Sequence, residues 1–91
     1  MNGFKFLFTI DCVFHILNKG ILVTGYIEQG SVRQGEQLEL LGKNGIFPIC
    51  NKMEKYLKPV TKAKQGEYIA IYLTDVDKSE LDKGIKLAIR K

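Results

Sequence analysis

The chain has 91 residues, of which 45% are hydrophobic and 26% are charged, and its formal net charge is +4. These values are typical of one folded domain, residues 1–91, and exclude a disordered chain. Two cysteines without a CxxC pair and a single histidine fall short of a disulfide framework or a four-ligand zinc site, so we expect no metal and no cofactor.

Three features predict strands in the first third of the chain. Residues 4–10 alternate, with Phe4, Phe6, Phe8 and Ile10 on one face, and a second apolar run covers residues 13–17. Residues 19–30 (KGILVTGYIEQG) begin near one glycine and end at another, and they are rich in β-branched residues. Gly25 in their middle predicts a bulge or a close backbone approach. We therefore expect residues 19–30 to be the central strand.

Shorter strands and turns are predicted for the rest of the chain. In order they are a glycine turn at 32–36, a strand at 37–41, an Asn-Gly hairpin at 44–45, a strand at 46–57, a break at 58–60, a strand at 67–74 and a closing strand at 85–89. Pro48 confines its strand to an edge or an irregular start. Asp77 and Glu80 have the spacing of a capping box, which predicts a single helical turn. Six or seven short strands indicate an all-β barrel or sandwich.

Catalytic chemistry is not expected, and we predict that the protein is not an enzyme. His15 lies in an apolar run, where a structural or surface role is favoured over that of a general base. Cys12 and Cys50 are interpreted as core residues. The acidic residues between positions 75 and 82 lack the spacing of a calcium loop.

The N-terminus has no signal-peptide pattern, and no apolar run approaches the roughly 18 residues of a membrane span. These observations predict a cytoplasmic protein with no membrane partner.

Positive charge is concentrated in the second half of the sequence. It is densest where five lysines stand against Glu54 alone: Lys52, Lys55, Lys58, Lys62 and Lys64. Such a face attracts phosphate groups. The alternative is a solvated lysine face that keeps an edge strand soluble.

Several motifs resemble the second domain of elongation factor Tu and related translational GTPases. Residues 19–30 are similar to that family's basic-Gly-x-Val-Val-Thr-Gly-x-Val-Glu-x-Gly stretch, and residues 33–36 match its basic-x-Gly-acid turn. The other matching residues are Lys58, Pro59, Val60, Ala63, Gly66, Gly84, Leu87 and Ala88. The resemblance implies a small closed β-barrel of six to seven antiparallel strands. The chain contains no Gly-x-x-x-x-Gly-Lys-Ser/Thr loop, so we expect it to bind no nucleotide triphosphate.

The resemblance also implies candidate RNA-binding residues, because the family's domain helps to hold the aminoacylated 3′ end of transfer RNA. Glu54 matches the glutamate that packs on the adenine, and Tyr56 stands at a nearby aromatic position. Leu57, Tyr68 and Tyr72 replace the family's arginine, asparagine and base-packing leucine. Tyrosines are able to stack on bases, at about 1–3 kcal/mol each, although ordinary packing on the barrel surface is the alternative for Tyr68 and Tyr72. With three lysines, the candidate set is Glu54, Tyr56, Tyr68, Tyr72, Lys52, Lys55 and Lys58.

The sequence leaves three functions open. The first is a non-catalytic binding module that contacts RNA or a translation-related protein. The second is a protein-interaction barrel, including a homodimer, because a barrel without its GTPase domain exposes an apolar face. The third is a piece or relic of a larger factor with no independent role.

Overall fold

The computed structural model describes residues 3–91, and eight β-strands form one antiparallel sheet in this part of the chain. The strands are β1 (Phe4–Ile16), β2 (Gly20–Arg33), β3 (Glu39–Leu40), β4 (Ile49–Lys55), β5 (Lys58–Val60), β6 (Lys62–Lys64), β7 (Tyr68–Thr74) and β8 (Lys86–Arg90). The only helical element in residues 3–91 is a 3₁₀ turn at Lys78–Glu80. The all-β prediction is confirmed.

The central position of β2 follows from its pairing. Neighbouring strands are ordered β3-β8-β1-β2-β7-β4-β5, and β6 pairs with β2 outside this path. The 14-residue β2 therefore has three partners: β1 along most of its length, β7 over residues 21–26 and β6 over residues 31–33. As expected, the stretch at residues 19–30 supplies the strand on which the other strands assemble, but the strand begins at Gly20 and continues to Arg33, into the predicted turn.

The barrel differs from the prediction in strand number and in closure. Residues 58–60 were expected to interrupt the sheet, but they form β5 and pair with β4. Closure was predicted to be complete, yet β3 and β4 share no regular ladder and meet through the Gln37–Ile49 bridge and single hydrogen bonds. One of these bonds joins the Leu38 N–H to the Pro48 carbonyl at 2.7 Å. Pro48 has no N–H to return, so a regular ladder does not form at this seam.

Bulges bend the long strands around the core. The structure joins the two predicted runs at residues 4–10 and 13–17 into the single strand β1, with Asp11 as the extra residue of a bulge opposite β2. Further register shifts place Glu28 of β2 and Asn51 of β4 as extra residues. A fourth shift, between β1 and β8, makes Lys5 an extra residue. A bulge adds local twist and re-aims side chains, and here all four extra residues are polar.

The core lies along the inner faces of the strands. Its largest fully buried side chains are Phe6, Phe8, Ile10, Val23, Ile27, Val32, Leu38, Leu40, Met53, Ile69, Ile71 and Leu87. Gly25 is buried where β2 crosses β1, and a Cβ there would lie 2.1 Å from the Thr9 carbonyl oxygen and 2.7 Å from Phe8 Cζ. The predicted close approach at Gly25 is therefore confirmed, since no larger residue fits.

Two local predictions are wrong. Asp77 forms no side-chain cap on the 3₁₀ turn, and Glu80 pairs instead with Lys43 Nζ at 3.0 Å. Cys12, which was interpreted as a core residue, is exposed, whereas Cys50 is buried. The bulge at Asp11 explains the second error, because it shifts the alternation of β1 by one residue and turns Cys12 outward.

Candidate nucleic-acid interface

The outer side chains of β1, β2, β7 and β4 form a continuous surface, here called the outer face. Strand register aligns them in three rows: Phe14–Leu22–Tyr72–Lys52, Cys12–Thr24–Ala70–Glu54 and Thr9–Tyr26–Tyr68. Ala70 stands between Tyr68 and Tyr72 along β7. Because its side chain is a single methyl group, Ala70 leaves the surface low at its own position, where it lines one of two depressions of the outer face.

One depression, the polar hollow, has a volume of about 320 Å³. It is lined by Asn18, Lys19, Asn51, Lys52, Glu54 and Tyr72. Neither lysine in it has an ion-pair partner within residues 3–91. The hollow therefore offers two unneutralised ammonium groups beside an aromatic ring.

The other depression, the tyrosine hollow, has a volume of about 290 Å³ and a mainly apolar lining. It is lined by Thr24, Glu54, Tyr56, Leu57, Tyr68, Ile69 and Ala70. Glu54 lines both hollows and so marks the boundary between them. Two tyrosines and a leucine with a carboxylate at the border suit a flat, partly polar group such as a nucleobase.

Tyr68 is held in place by polar contacts with side chains of β1 and β2. Its hydroxyl donates a 2.7 Å hydrogen bond to Asp11 Oδ2, and Thr24 Oγ1 lies 3.1 Å from the same hydroxyl. The contact with Thr24 lowers the pKa of Tyr68, but the Asp11 carboxylate, partial burial and the nearby Cys12 together raise it above its usual value. The ring is 51% exposed, so its position is fixed while its surface stays accessible.

Tyr56 and Leu57 form the tip of the hairpin between β4 and β5. Both residues adopt the left-handed conformation, with φ of 53° and 65°, and they are 86% and 90% exposed. Two-residue hairpins with this geometry usually contain Asn-Gly, because other side chains are strained there. The prediction that one strand continues through residue 57 is wrong, and the tip instead projects an aromatic and an aliphatic side chain beside the tyrosine hollow.

The three predicted lysines have different surroundings. Lys55 pairs with the Glu67 carboxylate, and this hydrogen bond raises the pKa of Lys55 and lowers that of Glu67. Its Nζ also lies 5.6 Å from the centroid of the Tyr56 ring. Lys52 lines the polar hollow, and Lys58 is exposed on β5 with no ion pair in the described chain. Lys52 and Lys58 are therefore free to meet an anion, whereas Lys55 supports the hairpin.

The structure brings five of the seven predicted residues together on the two hollows and adds others that sequence reasoning missed; the five are Glu54, Tyr56, Tyr68, Tyr72 and Lys52. Thr24, Lys19 and Asn51 were not singled out. A sequence signal for Lys19 was present, since Lys19 is the basic residue that begins the family-like stretch at residues 19–30. Asn51 carried none, because a bulge in β4 places it.

Residues 3–91 contain no group of three or more His, Cys, Asp or Glu side chains arranged to hold a metal ion. Within the same residues, no helix has the length and apolar character needed to cross a membrane. His15 is exposed near the end of β1.

Comparison with protein-family models finds no match. Among solved structures, the apo form of translation elongation factor SelB from Methanococcus maripaludis superposes with a TM-score of 0.87 and 27% identity over 93% of this chain. A bacterial selenocysteine-specific elongation factor EF-Sec superposes with a TM-score of 0.84 and 24% identity over 97% of this chain, which shows a shared fold. This chain spans 18% and 16% of the lengths of those two proteins. The chain thus has the fold of one domain of translation elongation factors, and its resemblance to the second domain of elongation factor Tu is confirmed.

Proposed function

We propose that this chain is a non-catalytic binding module that contacts RNA through the outer face. The observation that carries the proposal is the tyrosine hollow, a depression of about 290 Å³ bordered by Tyr56, Leu57, Tyr68 and Glu54. Base stacking on aromatic side chains tolerates many sequences, because every base has a π-face. The match to one domain of translation elongation factors supports a partner in translation.

The anchoring of Tyr68 supports this role. A ring whose hydroxyl is already bonded to Asp11 loses little side-chain freedom when a base stacks on it. This hydrogen bond does not serve core packing, since Tyr68 lies on the outer face and is 51% exposed. Its geometry therefore favours a stacking platform over a structural contact.

The hairpin tip gives independent support. Holding Tyr56 and Leu57 in the left-handed conformation costs about 1–2 kcal/mol per residue, and neither side chain gains burial in exchange. Strain that is retained without a packing benefit is typical of functional sites. Lys19 and Lys52 in the polar hollow lie on the other side of Glu54, where they suit the phosphate of a nucleotide whose base occupies the tyrosine hollow.

The test is binding of labelled single-stranded RNA, measured by fluorescence anisotropy at several salt concentrations. We expect Tyr68→Ala to weaken binding by about 5- to 150-fold, the loss of one stacking contact of about 1–3 kcal/mol. Tyr26→Ala is the matched control, because Tyr26 is 49% exposed in the same row but lines neither hollow. Equal affinity of the Tyr68→Ala and wild-type proteins would refute stacking at this site.

The second candidate function is a protein-interaction or homodimer barrel. It is favoured by the exposed apolar side chains at the β1–β2 end, where Phe14 is 43% and Leu17 is 83% exposed. Phe14 continues into a row with Leu22 and Tyr72, which gives a partner an apolar strip. Light scattering over a wide concentration range tests the homodimer version, and a strictly monomeric mass excludes it.

A further inference from the structure

A second basic surface lies on the ribbon that β6 forms with the last residues of β2. Ser31, Val32 and Arg33 pair with Lys64, Ala63 and Lys62, respectively. Val32 and Ala63 are buried, so the flanking residues point outward. Three cations therefore share the outer side of one short ribbon: Arg33, Lys62 and Lys64. They are called the basic strip.

The hydrogen bonds of the ribbon bring two of these cations close together. The Gln34 N–H bonds the Thr61 carbonyl at 2.9 Å, and the Gln65 N–H bonds the Gly30 carbonyl at 2.7 Å. In an antiparallel ladder with these bonds, Arg33 and Lys62 form a non-hydrogen-bonded pair, the type with the closer side chains. Like charges in directly opposite positions are destabilising. The fold thus maintains a repulsion that an anion would relieve.

The nearest carboxylates are already occupied, because the ribbon ends in the same turn on both sides. Residues 33–36 and 64–67 read Arg-Gln-Gly-Glu and Lys-Gln-Gly-Glu. In each turn the final carboxylate accepts a 2.8 Å bond from the N–H of the first residue, Arg33 or Lys64. The other oxygen of each carboxylate faces a lysine, which is Lys5 for Glu36 and Lys55 for Glu67.

None of the three strip cations forms an ion pair within residues 3–91. Lys62 and Lys64 also line a shallow hollow of about 260 Å³ with Ala63 and Glu67. Arg33 belongs to residues 1–42, which hold three basic and four acidic residues and so have a net charge of −1; the ribbon places it beside the two lysines.

We propose that the basic strip binds the phosphodiester backbone of a nucleic acid, without reading its sequence. Arg33 presents a planar set of donors that suits phosphate oxygens, and the two lysines add mobile ammonium groups. That RNA is the natural partner of the strip rests on the proposed function. The role of the strip is distinct, since it positions the strand by charge while the hollows accept bases.

Polyphosphate, an anion chain without bases, tests the strip separately from the tyrosine hollow. On a plot of log affinity against log salt concentration, each phosphate contact contributes about 0.7 to the slope. One contact therefore raises the affinity about fivefold at roughly 0.1 M salt relative to 1 M. We expect the triple variant Arg33→Gln, Lys62→Gln, Lys64→Gln to lower the slope by about 2 and the affinity by about 100-fold. The loss should be the same for single-stranded RNAs of different sequence, and a loss should also be seen with polyphosphate.

A matched control removes charge elsewhere on the chain. Lys78→Gln changes an exposed lysine of the 3₁₀ turn that also has no ion pair in the described residues, and it should leave the slope unchanged. Chemical-shift changes on addition of polyphosphate should centre on the amides of Arg33, Lys62 and Lys64. Chemical-shift changes centred elsewhere, or an unchanged salt slope in the triple variant, would refute phosphate binding at the basic strip.

Lys62→Glu separates a binding role from a structural one. A glutamate opposite Arg33 replaces the repulsion by an attraction, so the urea midpoint should rise while affinity for polyphosphate falls. A rise in midpoint with unchanged affinity contradicts the proposal. If Tyr68→Ala leaves RNA binding intact while the strip variants lose polyphosphate, the strip stands and the stacking function fails; the opposite pattern sustains stacking and removes the strip.

Discussion

Replacing the hairpin tip by Asn-Gly, through Tyr56→Asn and Leu57→Gly, should stabilise the protein and impair its function together. Both positions are left-handed, with φ of 53° and 65°. Relief of roughly 1–2 kcal/mol at each position is offset by about 0.5–1 kcal/mol for the flexibility of glycine in the unfolded chain. The lost contact between Lys55 and the Tyr56 ring reduces the gain further.

The net gain is therefore about 1–2 kcal/mol in the free energy of unfolding. Little burial is lost, because the two side chains are 86% and 90% exposed. For a domain of this size the gain corresponds to a rise in Tm of about 5–10 °C. Thermal and urea unfolding followed by circular dichroism measure the stability, and RNA anisotropy measures the function.

The control is the double variant Tyr56→Ala, Leu57→Ala, which removes the same side chains but keeps the strained backbone. It should lose RNA binding without gaining stability. An Asn-Gly variant no more stable than this control would refute the strain argument. A stabilised Asn-Gly variant with unchanged RNA affinity would instead remove Tyr56 and Leu57 from the binding surface.

Three further results are expected. Gly25→Ala should lower the free energy of unfolding by several kcal/mol or prevent folding, because its Cβ would lie 2.1 Å from the Thr9 carbonyl oxygen. A Cβ at Gly3 meets nothing within 4 Å, so Gly3→Ala should be neutral. Urea denaturation and soluble yield compare the two variants. Lys55 and the Lys64 N–H lower the pKa of Glu67 from 4.5, so the contribution of Glu67 to stability is present above pH 4.5 and is lost as the pH falls through the lowered pKa. The difference in urea midpoint between wild type and Glu67→Gln should therefore shrink as the pH is lowered over this range. A difference that stays constant with pH would contradict this. Burial raises the pKa of Cys50 to about 11, so a thiol reagent near pH 8 should modify exposed Cys12 alone until the protein is denatured, and rapid reaction of both thiols would contradict the buried position.

The sequence by itself determined the strand pattern and the resemblance. Alternation placed Phe6, Phe8 and Ile10 in the core, because a strand buries every second residue. Glycine spacing located the turns, and Gly25 announced a close approach that the structure shows. These features are local, so they are readable from neighbouring residues.

Part of the candidate interface was also predictable. Glu54, Tyr56, Tyr68 and Tyr72 were named from motif positions, and all four line one of the two hollows. The sequence did not indicate that Ala70 would line a depression beside Thr24 and Glu54, since that depends on which residues of β2 and β4 lie next to it.

Only the tertiary structure decided which charges are free and which side chains the bulges re-aim. Lys55 and Lys58 look equivalent in the sequence, yet Glu67 binds only the first of them. Arg33 reaches the side of Lys62 through the β2–β6 register, Asp11 reaches Tyr68 across the pairing of β1, β2 and β7, and the bulge at Asp11 turns Cys12 outward. Pairing between strands that are far apart in sequence sets these contacts, and a shift of a single residue reverses the face of every side chain that follows.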